Sequence, residues 1–173
     1  MKVIIINGFA STGKDEFVKL FRNETTFRVK NLSSVDRVKM VAEMAFGWNG
    51  KKNNKSRKFL SDIKKAWSEF NNGPTNDIIR RIDIDIKYCL ENGKKVENNV
   101  YFLHIREPKE IKKIKSIYGN NCISVLIRKN IDHIPDNDSD INVEDFKYDY
   151  IYNNKDIDDL RNCALDLYEK IKL

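Results

Sequence analysis

Apolar residues run without interruption over 3–6 and stop at Asn7. A short, β-branched run that does not alternate predicts a strand buried on both faces of a parallel sheet. After a loop over 8–13 the period lengthens. Phe17, Val18, Leu20 and Phe21 fall at helical spacing within 14–22. A second short strand is expected over 26–31. Ser33 or Ser34 is placed to cap a helix with Val35, Val38, Val41, Ala42, Ala45 and Phe46 along one side. A polar connection over 47–54 leads to a helix opened by Ser56 and carrying Phe59, Leu60, Ile63, Trp67 and Phe70. Asn71-Asn-Gly-Pro74 breaks that pattern. The stretch 75–92 has the cleanest helical period in the chain, through Ile78, Ile79, Ile82, Ile86, Cys89 and Leu90, with Gly93 to end it.

The strand signature returns over 100–105 and 122–127. Between them Pro108 suits the first position of a helix holding Ile111, Ile114 and Ile117, closed by Gly119. The stretch 129–146 is polar, contains Pro135 and keeps no period, so it reads as a loop or lid. A last short strand is expected over 149–152. Asp156 caps the final helix, with Asp159 three residues on and Leu160, Ala164, Leu167, Tyr168 and Ile171 facing inward. Strands alternating with helices predict an α/β domain with a parallel sheet. The helix-only stretch reads as an insertion between the second and third strands. The expected organisation is one domain, with a core of 1–30, 93–128 and 147–173, a helical insertion over 31–92 and a lid over 129–146.

Composition narrows the function classes. Hydrophobic residues at 40% and charged residues at 34% suit a single core beneath a charged surface. No apolar run approaches the length of a membrane span, and Met1-Lys2 leads straight into a strand, so neither a membrane partner nor a signal peptide is expected. Cys89, Cys122 and Cys163 are odd in number and lack metal-ligand spacing, which suggests reduced thiols in a cytoplasmic protein. The formal net charge of +6 is unevenly spread. Lys51, Lys52, Lys55, Arg57, Lys58, Lys64 and Lys65 crowd one segment, while ten acidic residues fall in 132–159. The acidic segment would repel a nucleic-acid backbone, so no nucleic-acid partner is expected. A local basic cluster suits small anions such as nucleotides.

Chemistry concentrates in Gly8-Phe-Ala-Ser-Thr-Gly13-Lys14-Asp15, which fits G-x-x-x-x-G-K, the phosphate-binding P-loop. Its context is right, because it follows a buried strand and opens a helix. The two glycines let the backbone turn and approach a phosphate, successive N–H groups form a nest for the anion, and Lys14 reaches the β- and γ-phosphates. Asp15, followed by Glu16, stands where a Ser or Thr hydroxyl usually touches Mg²⁺. Its carboxylate suits Mg²⁺ directly or through water, and equally suits a first helical turn favoured by the dipole. Ser11 and Thr12 add hydroxyls near the phosphates.

The loop, the helical insertion and Phe102-Leu-His-Ile-Arg106-Glu-Pro together resemble the P-loop nucleoside and nucleotide kinases, in particular phage-type deoxynucleoside monophosphate kinases and animal-type phosphomevalonate kinases. Ser124-Val-Leu-Ile-Arg128 is similar to the family's strand entering the lid, Asp138-Ser139-Asp140 to a patch within it, and Asp149-Tyr-Ile-Tyr-Asn153-Asn154 to the strand before the last helix. The resemblance implies an adenylate-kinase-like three-layer α/β/α fold with a five-stranded parallel sheet, an acceptor-binding insertion and a lid. It implies transfer of the ATP γ-phosphoryl group, with Mg²⁺, to a small phosphorylated acceptor. A (deoxy)nucleoside monophosphate is the first choice. A non-nucleotide phosphate such as phosphomevalonate, or a nucleotide-binding sensor or partner-binding protein with little turnover, is the alternative. By the same resemblance Gly8, Ala10, Ser11, Thr12, Gly13, Lys14, Asp15 and Glu16 hold the nucleotide, and Arg128 stacks on adenine. Lys14 and Arg106 are catalytic, Asp15 holds the metal, and Arg37, Arg57, Lys58 and Arg106 take the acceptor. The family often carries Asp-x-Arg after the third strand. Here Arg106 keeps the Arg and His104 stands in place of the Asp. His104 reads as a packed or supporting imidazole and His133 as incidental. Trp48, Trp67, Phe59 and Phe70 read as core before acceptor pocket. A monomer or homodimer is expected.

Overall fold

The computed structural model describes residues 1–51, 53–129 and 143–172. The first apolar run forms β1 (Lys2–Asn7), followed by α1 (Lys14–Asn23), β2 (Arg28–Ser33), α2 (Asp36–Phe46), α3 (Asn54–Asn71) and α4 (Gly73–Glu91). Then come β3 (Asn99–His104), α5 (Pro108–Tyr118), β4 (Cys122–Lys129), β5 (Tyr150–Asn154) and α6 (Ile157–Ile171). The chain divides into two compact units, 1–31 with 95–173, and 32–94.

The five strands form one parallel sheet in the order β2-β3-β1-β4-β5. β1 lies between β3 and β4, with Lys2 opposite Val100 and Val3 opposite Cys122. A central parallel strand is covered on both faces, so Val3, Ile4, Ile5 and Ile6 are at most 1% exposed. One face lies under α1 and α6. Phe17, Val18, Leu20 and Phe21 meet Leu160, Ala164, Leu167 and Ile171 over Ile4, Ile6, Val100, Phe102, Val125 and Ile127. Phe21 meets Phe102 edge-on, with centroids 5.1 Å apart. Alternation turns Val3, Ile5, Tyr101 and Leu103 to the opposite face. There α5 packs on β4 with Ile111 and Ile114 buried. The register brings Ile6 level with His104 and Asn7 level with Leu126. The segments leaving β1, β3 and β4 therefore emerge at one sheet edge, the edge where parallel α/β sheets carry their ligands.

Several boundaries differ from the sequence reading. β2 starts at Arg28 and extends to Ser33, so Ser33 ends a strand instead of capping a helix. α2 begins without a side-chain cap. Its first residue, Asp36, turns back and accepts the Ser33 amide at 2.9 Å, because a carboxylate is the stronger acceptor there. Along α2 only Val38 and Ala42 are buried, and Phe46 is 63% exposed. α3 is capped by Asn53, whose Oδ1 accepts the Ser56 amide at 2.8 Å, so Ser56 lies inside the first turn. The break at 71–74 is a single left-handed residue, Asn72. Gly73 and Pro74 already belong to α4, where proline's missing N–H costs nothing. Asp149 precedes β5 and does not join it; the strand runs from Tyr150 to Asn154. Asp156 caps α6 as expected, accepting the Asp158 and Asp159 amides at 3.0 and 2.9 Å.

Residues 130–142 of the expected lid, with His133, Pro135 and Asp138-Ser139-Asp140, lie outside the described residues. Cys89, Cys122 and Cys163 are free thiols. No helix among the described residues is long and apolar enough to cross a membrane.

Candidate active site

The loop after β1 is held by contacts from several elements. Gly8 has φ +142°, and a Cβ there would sit 2.3 Å from the Ile127 carbonyl oxygen of β4. Only glycine lets the chain turn this close to β4. Ser11 and Gly13 have φ +62° and +92°. Left-handed residues among successive amides make a nest of N–H groups. Thr12, 1% exposed, donates its hydroxyl to the Phe9 carbonyl at 3.0 Å. Gly13 is the N-cap of α1 and no side chain caps that helix, so its first amides and dipole are presented at the loop. Leu160 of α6 backs Gly13, 3.1 Å from where a Cβ would be. Asn154 braces the loop from β5, donating to the Thr12 carbonyl at 3.3 Å and the Arg128 carbonyl at 2.6 Å. Lys14 folds back over the loop: its Nζ donates to the Gly8 carbonyl at 2.7 Å and to the Phe9 carbonyl, and lies 3.5 Å from the Thr12 hydroxyl. Ala10 is half-buried, and Ser11 is exposed.

Asp15 and Glu16 form the first turn of α1. The Asp15 carboxylate is 90% exposed. Asn31 Nδ2 of β2 donates to it at 3.5 Å, and the Asn31 side-chain oxygen, Oδ1, lies 2.7 Å from His104 Nε2 at the end of β3. That imidazole is also 3.5 Å from Asp15. His104 thus supports Asp15 through Asn31. An exposed carboxylate oxygen beside the loop suits a hard cation such as Mg²⁺. Among the described residues no three His, Cys, Asp or Glu side chains gather, so such an ion would complete its shell with nucleotide oxygens and water. Arg106, two residues beyond β3, is half-buried, and its carbonyl accepts from Asn7 at 3.4 Å. Arg128, near the end of β4, is paired with Glu144: its Nε lies 2.9 Å from Oε1, and Nη2 contacts Oε2. The bond to Glu144 raises the Arg128 pKa.

The second unit contains a cavity of roughly 300 Å³, lined by Arg37, Trp67, Asn71, Gly73, Asn76, Asp77 and Arg80. Asp77, 8% exposed, organises the cations: Arg80 Nη2 lies 2.8 Å from it, Arg37 Nε 3.6 Å and Arg81 Nη1 4.0 Å. Arg81 is also held by Asp36 at 3.0 Å. A nearly buried carboxylate ringed by guanidiniums fixes their orientation and leaves an excess of positive charge. Arg57 and Lys58 are exposed on the first turns of α3, with Lys58 paired to Asp62 at 2.7 Å, and do not line this cavity. Of the four aromatics weighed from sequence, Trp67 lines the cavity. Phe59 packs edge-on against Phe46 at 5.4 Å, Trp48 donates to the Lys51 carbonyl at 3.1 Å, and Phe70 is 84% exposed.

Gly73 shapes this cavity by contact. A Cβ there would fall 1.8 Å from Trp67 Nε1 and 2.1 Å from Cε2. Gly73→Ala is expected to drive the indole out of place, cost about 1–3 kcal/mol by overpacking and change Trp67 emission, read in a Trp48→Phe background. Unchanged emission and an unchanged melting temperature would contradict that contact.

Sequence reasoning missed Asn7, Tyr148, Asp77, Arg80 and Arg81. Asn7 carried one signal, a polar residue closing a fully buried run. The arginines followed from nothing more than their place on the cleanest amphipathic helix.

No protein-family model matches the chain, and no curated protein matches it. Solved structures do. A protein of Thermus thermophilus is 13% identical, with 98% of this chain and 96% of that chain covered and a TM-score of 0.52. Thymidylate kinase of Candida albicans is 10% identical, with coverage of 99% and 92% and a TM-score of 0.50. Shikimate kinase of Aquifex aeolicus is 15% identical, with coverage of 97% and 96% and a TM-score of 0.48. The chain has the α/β fold of the P-loop kinases.

Proposed function

We propose that this chain is an Mg²⁺- and ATP-dependent kinase that phosphorylates a small phosphorylated acceptor, first a (deoxy)nucleoside monophosphate. The observation that carries this reading is Lys14 folded over a loop of left-handed residues at the uncapped start of α1, with Arg106 leaving the neighbouring strand at the same sheet edge. Phosphoryl transfer asks little covalent chemistry of a protein. It asks for positioning and for neutralisation of charge on the moving group.

In this reading the loop amides and Lys14 hold the donor phosphates. Arg106 offers a planar fork to phosphate oxygens. Asp15 is the carboxylate for Mg²⁺, which when bound screens the charge of the donor phosphates. Arg128 reaches adenine only after leaving Glu144. The cavity of the second unit supports the acceptor class: Arg37 and Arg80 suit a phosphate, and Trp67 with the Asn71 and Asn76 amides suits a flat, hydrogen-bonding ring better than an aliphatic chain. Three free thiols suit the reducing cytoplasm.

The test is ADP release from Mg·ATP against a panel of ribo- and deoxynucleoside monophosphates, with phosphomevalonate included and Lys14→Ala as control. Release that depends on a nucleoside monophosphate and vanishes in the control is the expected result. Release with phosphomevalonate alone would change the acceptor. Nucleotide binding without acceptor-dependent release would leave a sensor in place of a kinase.

A further inference from the structure

A hydrogen-bonded chain that the reading above does not use runs into the nucleotide loop from the segment before β5. The Tyr148 hydroxyl donates to the Val143 carbonyl at 2.9 Å and accepts from Asn7 Nδ2 at 2.6 Å. Asn7 Oδ1 in turn accepts the Gly8 amide at 2.8 Å, the first N–H of the loop. Asn7 Nδ2 also reaches the Arg106 carbonyl at 3.4 Å. Every donor in this chain points the same way, so each bond polarises the next. Asn7 is wholly buried and Tyr148 is 8% exposed. Burial pushes the Tyr148 hydroxyl up to about 12, against the opposing effect of the Asn7 bond.

The tyrosine is fixed from both sides. Its ring packs with Val143 and Leu126, with Phe146 edge-on at 5.2 Å and the loop residue Phe9 against the same cluster. The next residue, Asp149, is anchored to β4 and α5. One carboxylate oxygen takes the Ser124 amide at 2.7 Å, the Ser124 hydroxyl at 2.8 Å and Lys115 at 2.6 Å. Burial raises the Asp149 pKa, but Lys115 and Ser124 more than offset it, so this carboxyl stays below its usual range.

We infer that Tyr148 and Asn7 are positioning residues. Together they set the conformation of the loop's first amide and hold the loop at a fixed distance from the backbone of Arg106. A tyrosine used only for packing would not need its hydroxyl in this chain. A loop shaped only by its own glycines would not need a side chain 141 residues away to hold Asn7. The inference rests on the nucleotide-loop reading.

The test uses the full chain with Mg·ADP as probe. Tyr148→Phe keeps the ring and removes the hydroxyl, leaving Asn7 Nδ2 and the Val143 carbonyl short of a partner. Affinity for Mg·ADP is expected to fall roughly three- to tenfold, and the Gly8 amide ¹⁵N–¹H resonance is expected to move. Tyr152→Phe serves as control. It removes a β5 hydroxyl that donates to Asp166 of α6 at 2.7 Å, and should lower the melting temperature without moving the Gly8 resonance or the affinity. Asn7→Ser, too short to span Gly8 and Tyr148, repeats the test should Tyr148→Phe fold poorly. An unshifted Gly8 resonance with wild-type affinity in a folded variant would overturn the inference alone. Failure of the wild-type chain to bind Mg·ADP would overturn the nucleotide reading, and the inference with it.

Discussion

Lys14→Ala is expected to reduce turnover by about 10³-fold while leaving the fold intact. The ammonium is the cation at the centre of the loop, within hydrogen-bond reach of the Gly8 carbonyl and the Phe9 carbonyl. In the proposed reaction charge builds on the transferred group beside this ammonium, and loss of one such preorganised donor costs about 3–4 kcal/mol of barrier. The cost to stability is small by comparison, since the ammonium is half-buried and the loop keeps its bonds from Asn7, Thr12 and Asn154. Lys14→Arg will not restore activity. One Nζ meets two carbonyls and a hydroxyl at a point where a planar fork has no matching geometry. Circular dichroism and steady-state kinetics on the same preparations check both halves. A variant with half of wild-type turnover would remove Lys14 from the reaction.

Gly8→Ala acts through the backbone and should cost more stability than any other single methyl in unit 1. The new carbon would sit 2.3 Å from the Ile127 carbonyl oxygen and 2.8 Å from the Thr12 hydroxyl, at φ +142°. The hydroxyl can rotate away. The carbonyl cannot, because β4 is paired with β1 on one side and β5 on the other. The loop would have to lift from the sheet. Strain and overlap together come to about 2–5 kcal/mol, a fall of roughly 10 °C in melting temperature for a chain of this size, with loss of Mg·ADP binding. Gly93→Ala supplies the comparison: φ is +64°, yet nothing lies within 4 Å of its Cβ. Its effect should be confined to conformational strain. Equal melting temperatures for the two variants would contradict the role given to the Ile127 contact.

The fold was legible where the signal is local. The run at 3–6, the glycines around Lys14 and the periods at 17–21 and 78–89 predict β1, the loop, α1 and α4 because burial and helical spacing act between near neighbours. Boundaries set by competing caps were less legible. Ser33, Ser56 and Asn53 all have capping side chains, yet only Asn53 caps a helix, α3, while α2 starts uncapped with Asp36 accepting the Ser33 amide. The helical pattern of α2 also overstated its burial, because Val41 and Phe46 satisfy the period and remain exposed. Long-range polar chemistry had little expression in the pattern beyond the polar Asn7 that closes the buried run. Nothing in the neighbourhood of Tyr148 or Asp77 marks one as the partner of Asn7 and the other as the carboxylate that gathers Arg37, Arg80 and Arg81.

The placing of β1 at the centre of the sheet has a consequence for the chain as it leaves the ribosome. β1 is made well before its partners β3 and β4; Lys2 waits for Val100, roughly 100 residues later. At about 5–20 residues per second this is a delay of roughly 5–20 s. For that time a strand of three consecutive isoleucines has no sheet to join. β1 therefore stays unpaired while the helices of 32–94 are being synthesised, and a holdase that binds short apolar segments would find a target in the apolar run at 3–6.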